Sequence, residues 1–215
     1  MIEMAVTRTT DDVRARARPY FGDVAPSHDW EHVCRVATLA ETLAADGVDE
    51  RVLLAAVWLH DIGRGREDHG EIDDHAVWGA REAERILVDL GATDETIEAV
   101  THSIDAHRCS NAVEPETREA KLLCDADDLG ALGAVGVARR FSYGGEHGTT
   151  IHDPDLPPEA DDVPAGSTGL NPLRKKILEL PERMYTQPGR ELATERRAFV
   201  IEYLDRFERE IAGDA

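Results

Sequence analysis

The sequence predicts an all-α protein, a helical bundle. Apolar residues recur at the three- and four-residue spacing of amphipathic helices along most of the 215-residue chain. Helix-capping residues precede many of these runs, and glycine or proline follows them. No run shows the sustained alternation of a β-strand, and no internal repeat is visible.

The first two helices follow from clear start and stop signals. Residues 9–12 (TTDD) offer capping side chains and acids for a first turn, which predicts a helix ending near Arg18. Residues 26–29 (PSHD) start a second helix over 30–45, and Gly47 ends it.

The third helix ends in the most informative doublet of the chain. Asp49 caps it, and the strongly apolar run 52–59 leads directly into His60-Asp61. Gly63 then lets the backbone turn, and residues 63–73 read as a charged, glycine-rich loop. An imidazole and a carboxylate are thus predicted at the end of a buried helix.

Two further helices complete the first half. One spans 74–90, with Gly91 as its C′ residue. The next spans 93–106, capped by Thr93 or Asp94, and a loop follows over 107–114.

The second half contains helices and one long loop. Helices are predicted over 115–132 and 133–143, and again over 171–180 and 188–211. Residues 144–169 between them are rich in Gly, Pro and Asp and carry few apolar side chains. We interpret them as a surface loop or lid, because too little chain follows for a second domain.

The chain is predicted to form one domain over 1–215. Its core covers about 23–143, followed by the loop at 144–169 and C-terminal helices over 170–212. No apolar stretch approaches the roughly 20 residues of a membrane span, and no signal peptide is visible. Three scattered cysteines without a CxxC argue against a disulfide framework or a zinc ribbon, and favour the cytoplasm.

The formal charge of −20 excludes some partners. So acidic a surface disfavours binding to the nucleic-acid backbone or to anionic membranes. Excess acid with only three lysines is typical of proteins from a high-salt cytoplasm, where the Debye length falls to about 3 Å at 1 M salt. The composition therefore predicts a halophilic source.

Several polar residues interrupt apolar helical runs. His32 lies on the apolar side of the second predicted helix, next to Val33; His60-Asp61 ends an apolar run, and Asp127 lies among Leu and Ala. One histidine alone is usually a core or surface residue, so the case depends on the set. If the four groups converge, two nitrogens and two oxygens suit Mn²⁺, Fe²⁺, Zn²⁺, Co²⁺ or Ni²⁺.

Four segments in order resemble the HD-domain superfamily of metal-dependent phosphohydrolases, in its small single-domain bacterial and archaeal form. They are HDWEHVCRV (28–36), WLHDIG (58–63), HAVWGAREAERIL (75–87) and KLLCDADDLGALGAVGVARRF (121–141). The doublet alone is weak evidence, whereas four segments in order are specific. The resemblance covers about residues 23–155.

The resemblance implies a ligand set for a divalent metal. The implied ligands are His32, His60, Asp61 and Asp127. His28, one helical turn before His32, is an alternative ligand, and Asp125 is an alternative to Asp127 or a supporting residue. Many family members add ligands at positions that correspond to His75 and His102, which are otherwise expected to face phosphate or water.

The resemblance also implies an activity, hydrolysis of a small phosphorylated metabolite, preferably a nucleotide. Asp61 would hold the metal and orient or deprotonate water, and His75 or His102 would assist the leaving oxygen. Substrate phosphates would be held by Arg35, Lys121, Arg139 and Arg140. Mg²⁺ joins the cations listed above as a candidate cofactor.

Two other functions stay open. A dinuclear-iron oxygenase of the same superfamily would need His75 and His102 as ligands. A non-catalytic nucleotide-binding regulatory module would need no turnover. The expected partner is a small phosphorylated molecule, with no membrane or nucleic-acid backbone, and a homodimer is left open.

Overall fold

The computed structural model describes residues 2–108, 113–163 and 165–214, and within them the fold is all-α, as predicted. The α-helices are α1 (Ile2–Ala17), α2 (Trp30–Leu43), α3 (Glu50–Leu59), α4 (Arg64–Asp68), α5 (His75–Asp89), α6 (Asp94–Ala106), α7 (Arg118–Leu129), α8 (Gly133–Glu146), α9 (Leu170–Lys175), α10 (Leu180–Arg183) and α11 (Gln187–Ala212). Short 3₁₀ turns lie at Arg18–Phe21, Pro26–His28, Pro158–Ala160 and Ile177–Glu179. β-pairing in these ranges is confined to one bridge between Thr150 and Thr168. None of the described helices is long and apolar enough to cross a membrane.

Side chains cap the N-termini of α2, α3, α5 and α6, helices that carry or precede predicted site residues. The Asp29 carboxylate accepts from His32 N at 2.8 Å, and Asp49 accepts from Arg51 N at 3.0 Å. Asp74 accepts from the first amides of α5, and Thr93 caps α6. Each cap satisfies backbone N–H groups that have no partner inside the helix. The predicted helix starts at Asp49 and Thr93 are therefore confirmed.

Helix α3 is the core of the first half. Of its apolar run only Leu54 is not buried, and the helix packs against α1, α2 and α6. Trp58 stacks on Trp30 with ring centroids 5.5 Å apart, and Arg14 lies 4.8 Å over the Trp58 ring. Each large apolar side chain buried in this way contributes roughly 1.5–3 kcal/mol. The doublet thus follows directly on a buried helix that packs against three others.

Some predicted boundaries change. Helix α1 begins at Ile2 rather than near residue 9, and α4 forms inside the predicted loop 63–73, because five residues are too few to show a periodicity. The predicted helix 171–180 is instead α9, a 3₁₀ turn and α10. Part of the predicted loop 107–114, residues 109–112, lies outside the described residues.

The chain divides into two compact units, residues 1–127 and 128–215, and each is described by itself. The single domain expected over residues 1–215 stays a prediction. In the first unit, α3 packs against α1, α2 and α6, and α5 against α6. In the second, α11 packs against α8 and α10.

The predicted loop 144–169 is organised by one buried carboxylate. Asp161 accepts from Ser167 N at 2.9 Å and from Asn171 Nδ2 at 3.0 Å, while its carbonyl accepts from Lys175 Nζ at 2.7 Å. Arg140 donates to the carbonyls of Thr168 and Gly169 at the end of the loop. The described part of this loop is therefore tied to α8 and α9.

We expect Asp161→Ala to loosen this loop. The hydrogen bond from Asn171, with those from Ser167, lowers the pKa of Asp161 to about 2. Because the folded pKa lies below the ordinary value of 3.8, the stabilisation is present above pH about 4 and is lost as pH falls towards 2. Cleavage within 144–169 by a Glu-specific protease should accelerate in Asp161→Ala at neutral pH. Asp162→Ala, which changes an exposed neighbour, is the control, and equal cleavage of the two variants would contradict this role.

Candidate metal centre

Six side chains from five parts of the first unit meet in one cluster. They are His32 of α2, His60 and Asp61 after α3, His75 at the start of α5, His107 after α6, and Asp127 of α7. All but Asp127 are buried, at 5% exposure or less. The Asp127 side chain is 30% exposed and marks the open side of the cluster. So many titratable groups in a buried place need a common partner.

The first group of ligand atoms belongs to His32, His60 and Asp127, and these atoms lie within 4.8 Å of one another. His32 Nε2 is 3.3 Å from Asp127 Oδ1. One oxygen of Asp61, Oδ2, lies 3.5 Å from the Nε2 atoms of both His32 and His60. Two nitrogens and carboxylate oxygens around one point could hold a divalent cation.

The second group belongs to Asp61, His75 and His107, also within 4.8 Å. The other oxygen of Asp61, Oδ1, is 3.3 Å from His75 Nε2 and 3.8 Å from His107 Nε2. The two Nε2 atoms are 3.3 Å apart. Asp61 therefore turns one oxygen towards each group and is shared by both.

Hydrogen bonds on the far side of two imidazoles fix their orientation. His60 Nδ1 lies 2.7 Å from the carbonyl of Val57, and His107 Nδ1 lies 2.5 Å from that of Ile104. Because a carbonyl only accepts, Nδ1 carries the proton and Nε2 of the neutral ring presents a lone pair. His60 Nε2 has no hydrogen-bond partner among the described residues. The Nε2 lone pairs and the carboxylate oxygens that they face would repel one another without a cation between them. The residues therefore fit a metal ion.

The protonation states favour the same interpretation. Burial lowers the pKa of His75 and of His107, although the charge of Asp61 opposes this. Burial alone would raise the pKa of Asp61, but His60, the hydrogen bond from His32, and His75 hold it well below its ordinary value. Burial also raises the pKa of Asp127, and His32 lowers it by more. Neutral imidazoles beside charged carboxylates are the forms that bind metals.

Gly63 allows α5 to approach the doublet. A Cβ atom at Gly63 would lie 2.7 Å from the carbonyl oxygen of His75 and 3.0 Å from its Cα. The φ angle of Gly63 is −87°, which any residue adopts. The glycine therefore provides close packing rather than an unusual turn, and this packing brings His75 next to Asp61.

The structure brings together five of the six predicted metal-binding and catalytic residues and leaves one apart. His32, His60, Asp61, Asp127 and His75 lie in the cluster; their roles stay predictions. His102 belongs to neither group, because its Nε2 accepts a hydrogen bond from Glu116 N at 3.1 Å.

His107, missed in the sequence, takes the place expected for His102. The buried positions of α6 include Val100, Ser103 and Ile104, and His107 continues this face with helical spacing. His102 is off that face. The periodicity of α6 was thus a signal that could have identified His107.

The alternative ligands lie outside both groups. The His28 ring is 5.7 Å from that of His32, but its Nε2 is 3.2 Å from Arg64 NH2 and its Nδ1 is 2.9 Å from the Ser27 hydroxyl. Asp125 is buried on α7 and belongs to neither group of described residues.

The four predicted phosphate-binding residues differ in their surroundings. Arg35 is 40% exposed and lies 4.0 Å from Asp29. Lys121 is half-buried on α7. Arg139 and Arg140 belong to the second unit, where Arg140 bonds two loop carbonyls. Contact of any of them with a substrate stays a prediction.

An ionic network that the sequence did not predict lies behind His75. Glu67 of α4 accepts from His75 Nδ1 at 2.8 Å and from Arg108 NH1 at 2.6 Å. Burial raises the pKa of Glu67, but His75 and Arg108 outweigh it, and the pKa lies below its ordinary value. The carboxylate is therefore charged at neutral pH.

The first unit is all-α, and it joins a histidine, a His-Asp doublet, further histidines and a distant aspartate. This combination defines a class of proteins with a His/Asp metal centre. The family model of the HD domain matches residues 29–132, which include all six cluster residues. Residues 29–132 of this chain are therefore an HD domain.

Relatives match this chain over almost its whole length. YpgQ of Bacillus subtilis is 29% identical, over 98% of this chain and 97% of its own. A solved structure from Lactobacillus plantarum is 27% identical with a TM-score of 0.79, covering 96% of this chain and 98% of that one. An HD-superfamily hydrolase from Bacillus thuringiensis is 28% identical with a TM-score of 0.74, over 96% and 98%. YpgQ in complex with ADP is 28% identical with a TM-score of 0.72, over 96% and 100%.

Proposed function

We propose that this chain is a metal-dependent phosphohydrolase that cleaves a phosphoester or phosphoanhydride bond of a small phosphorylated metabolite, preferably a nucleotide. The observation that carries the proposal is the buried six-residue centre, in which Asp61 is shared by two groups of metal-binding atoms. The similar hydrolase from Bacillus thuringiensis supports a metal-dependent hydrolase. The ADP complex of YpgQ supports a nucleotide as the substrate.

The residues would divide the work by position. His32, His60, Asp61 and Asp127 would hold one divalent cation, and Asp61, His75 and His107 offer ligands for a second. A cation bound there lowers the pKa of a coordinated water towards neutrality and polarises a phosphoryl oxygen. The other five cluster residues are buried, which keeps bulk water away from the cation. The partly exposed side chain of Asp127 would mark the side from which the substrate enters.

Asp61 and His75 would have different roles. Asp61 stays a carboxylate, so it can accept a hydrogen bond from the attacking water and orient it. His75 donates through Nδ1 and presents a lone pair at Nε2, 3.3 Å from Asp61. This form suits ligation better than donation of a proton to the leaving oxygen.

We expect turnover of at least one phosphorylated compound by the metal-loaded protein. The metal-stripped chain would be reloaded with Mn²⁺, Co²⁺, Ni²⁺ or Mg²⁺ and assayed for phosphate and pyrophosphate release from nucleoside mono-, di- and triphosphates. High salt should be included, because the acidic composition predicts a halophilic cytoplasmic source. No release with any cation would contradict the proposal, and tight nucleotide binding without release would favour a regulatory module.

A dinuclear-iron oxygenase is a second candidate, favoured by the carboxylate shared between two groups, and it would use His107 rather than His102 as a ligand. Two irons per chain, together with O₂ consumption and without phosphate release, would favour it. One cation per chain in an active protein would exclude it.

A further inference from the structure

Glu67 is the carboxylate that touches the outer nitrogen of His75. It lies on the short helix α4, and its side chain is 17% exposed. We propose that Glu67 is a positioning residue that fixes the tautomer of His75 and thereby sets the cation affinity of the group Asp61, His75 and His107. This inference rests on the proposed metal-dependent function.

The hydrogen bond of Glu67 selects between two forms of His75. With the proton on Nδ1, 2.8 Å from Glu67 Oε2, the lone pair at Nε2 faces Asp61 Oδ1 at 3.3 Å. With the proton on Nε2, the ring would donate to Asp61 and no longer offer a ligand atom. In the metal-free protein the second form is stable, because its Nε2–H group has a hydrogen-bond acceptor in Asp61. The hydrogen bond to Glu67 is therefore what favours the form that can bind a cation.

Two arginines hold Glu67 in place. Arg108 NH1 lies 2.6 Å from Oε1 and also 3.1 Å from Asp74 Oδ2 at the cap of α5. Arg64 NH1 lies 3.1 Å from Oε2 and 3.2 Å from His75 Nδ1, so both N–H groups converge on the same oxygen. The network thereby joins α4, the start of α5 and the end of α6. A carboxylate paired on both oxygens keeps its position and its charge.

The effect of Glu67 is confined to one of the two groups. The outer nitrogen of His60 bonds to the carbonyl of Val57 rather than to Glu67. Loss of Glu67 should therefore weaken the group that contains His75 and leave the group of His32, His60 and Asp127 intact.

The test counts Mn²⁺ ions bound by the full chain in equilibrium dialysis. The wild type should bind two ions. Glu67→Ala should bind one of them about 10–100-fold more weakly and retain the other. Glu67→Gln should fall between the two, because an amide oxygen still accepts from Nδ1. Raised Mn²⁺ should restore turnover to Glu67→Ala, a rescue that a damaged fold would not show.

Glu71→Ala is the matched control. Glu71 forms an exposed ion pair with Arg66 at 3.0 Å, so this variant removes the same charge without touching His75. It should bind Mn²⁺ like the wild type. The inference would be wrong if Glu67→Ala bound both ions normally, lost both equally or matched Glu71→Ala, or if the active wild type bound a single ion. A wild type that binds no cation and hydrolyses nothing would instead refute the proposed function, and this inference with it.

Discussion

Asp61→Ala should abolish binding of both cations and lower turnover at least about a thousandfold, since several kcal/mol of charge stabilisation would be lost. The reason is the shared position of this carboxylate. Its Oδ2 faces His32 and His60 at 3.5 Å, and its Oδ1 faces His75 at 3.3 Å. No other side chain among the two described groups contacts both in this way.

Asp61→Asn separates the charge from the shape. The amide has the same size and keeps one acceptor oxygen, but it carries no charge and turns an NH₂ group towards one set of imidazole nitrogens. We expect one group to be disrupted more than the other, so residual binding of about one cation would fit. Metal content and phosphate release, measured on the same preparation, would show this.

Asp49→Ala is the control at the other end of the same helix. Asp49 caps α3, so its loss should cost about 1 kcal/mol of stability while metal binding and turnover stay unchanged. Circular dichroism melting measures the stability, elemental analysis measures the bound metal, and phosphate release measures the turnover. Normal metal content and turnover in Asp61→Ala would show that the cluster is not the site.

Local signals were sufficient to predict much of the first unit. Asp49 and Thr93 are side chains whose capping role depends on a few neighbouring residues, so their position was readable. The doublet His60-Asp61 stood out because a buried apolar helix ends there, and burial of α3 followed from the same apolar run. These features need no knowledge of which elements meet in space.

Residues whose role depends on distant contacts were harder to predict. Glu67 looked like one acid in a charged loop, because its contacts with His75 and Arg108 bridge separate elements. Arg140 was predicted to hold phosphate, and its hydrogen bonds to the carbonyls of Thr168 and Gly169 could not be read from its neighbours in the sequence. In both cases tertiary structure, rather than residue type, decides what the side chain does.

His107→Ala should weaken binding of one cation and lower turnover by about a hundredfold or more, whereas His102→Ala should keep activity within about twofold. His107 Nε2 lies 3.3 Å from His75 Nε2 and 3.8 Å from Asp61 Oδ1, so its removal takes away a ligand atom. The His102 ring accepts from Glu116 N instead. Loss of that bond should cost about 1 kcal/mol of stability and leave the cluster intact.

The two variants control each other, because both replace a histidine by alanine within six residues of the same segment. A difference in turnover at equal folded fraction cannot then come from imidazole loss in general. His107→Ala should keep the cation held by His32, His60 and Asp127, which separates it from Asp61→Ala. If His102→Ala lost activity while His107→Ala kept it, the side chain at position 102 would have to reach the centre, and the hydrogen bond to Glu116 would be absent from the active protein.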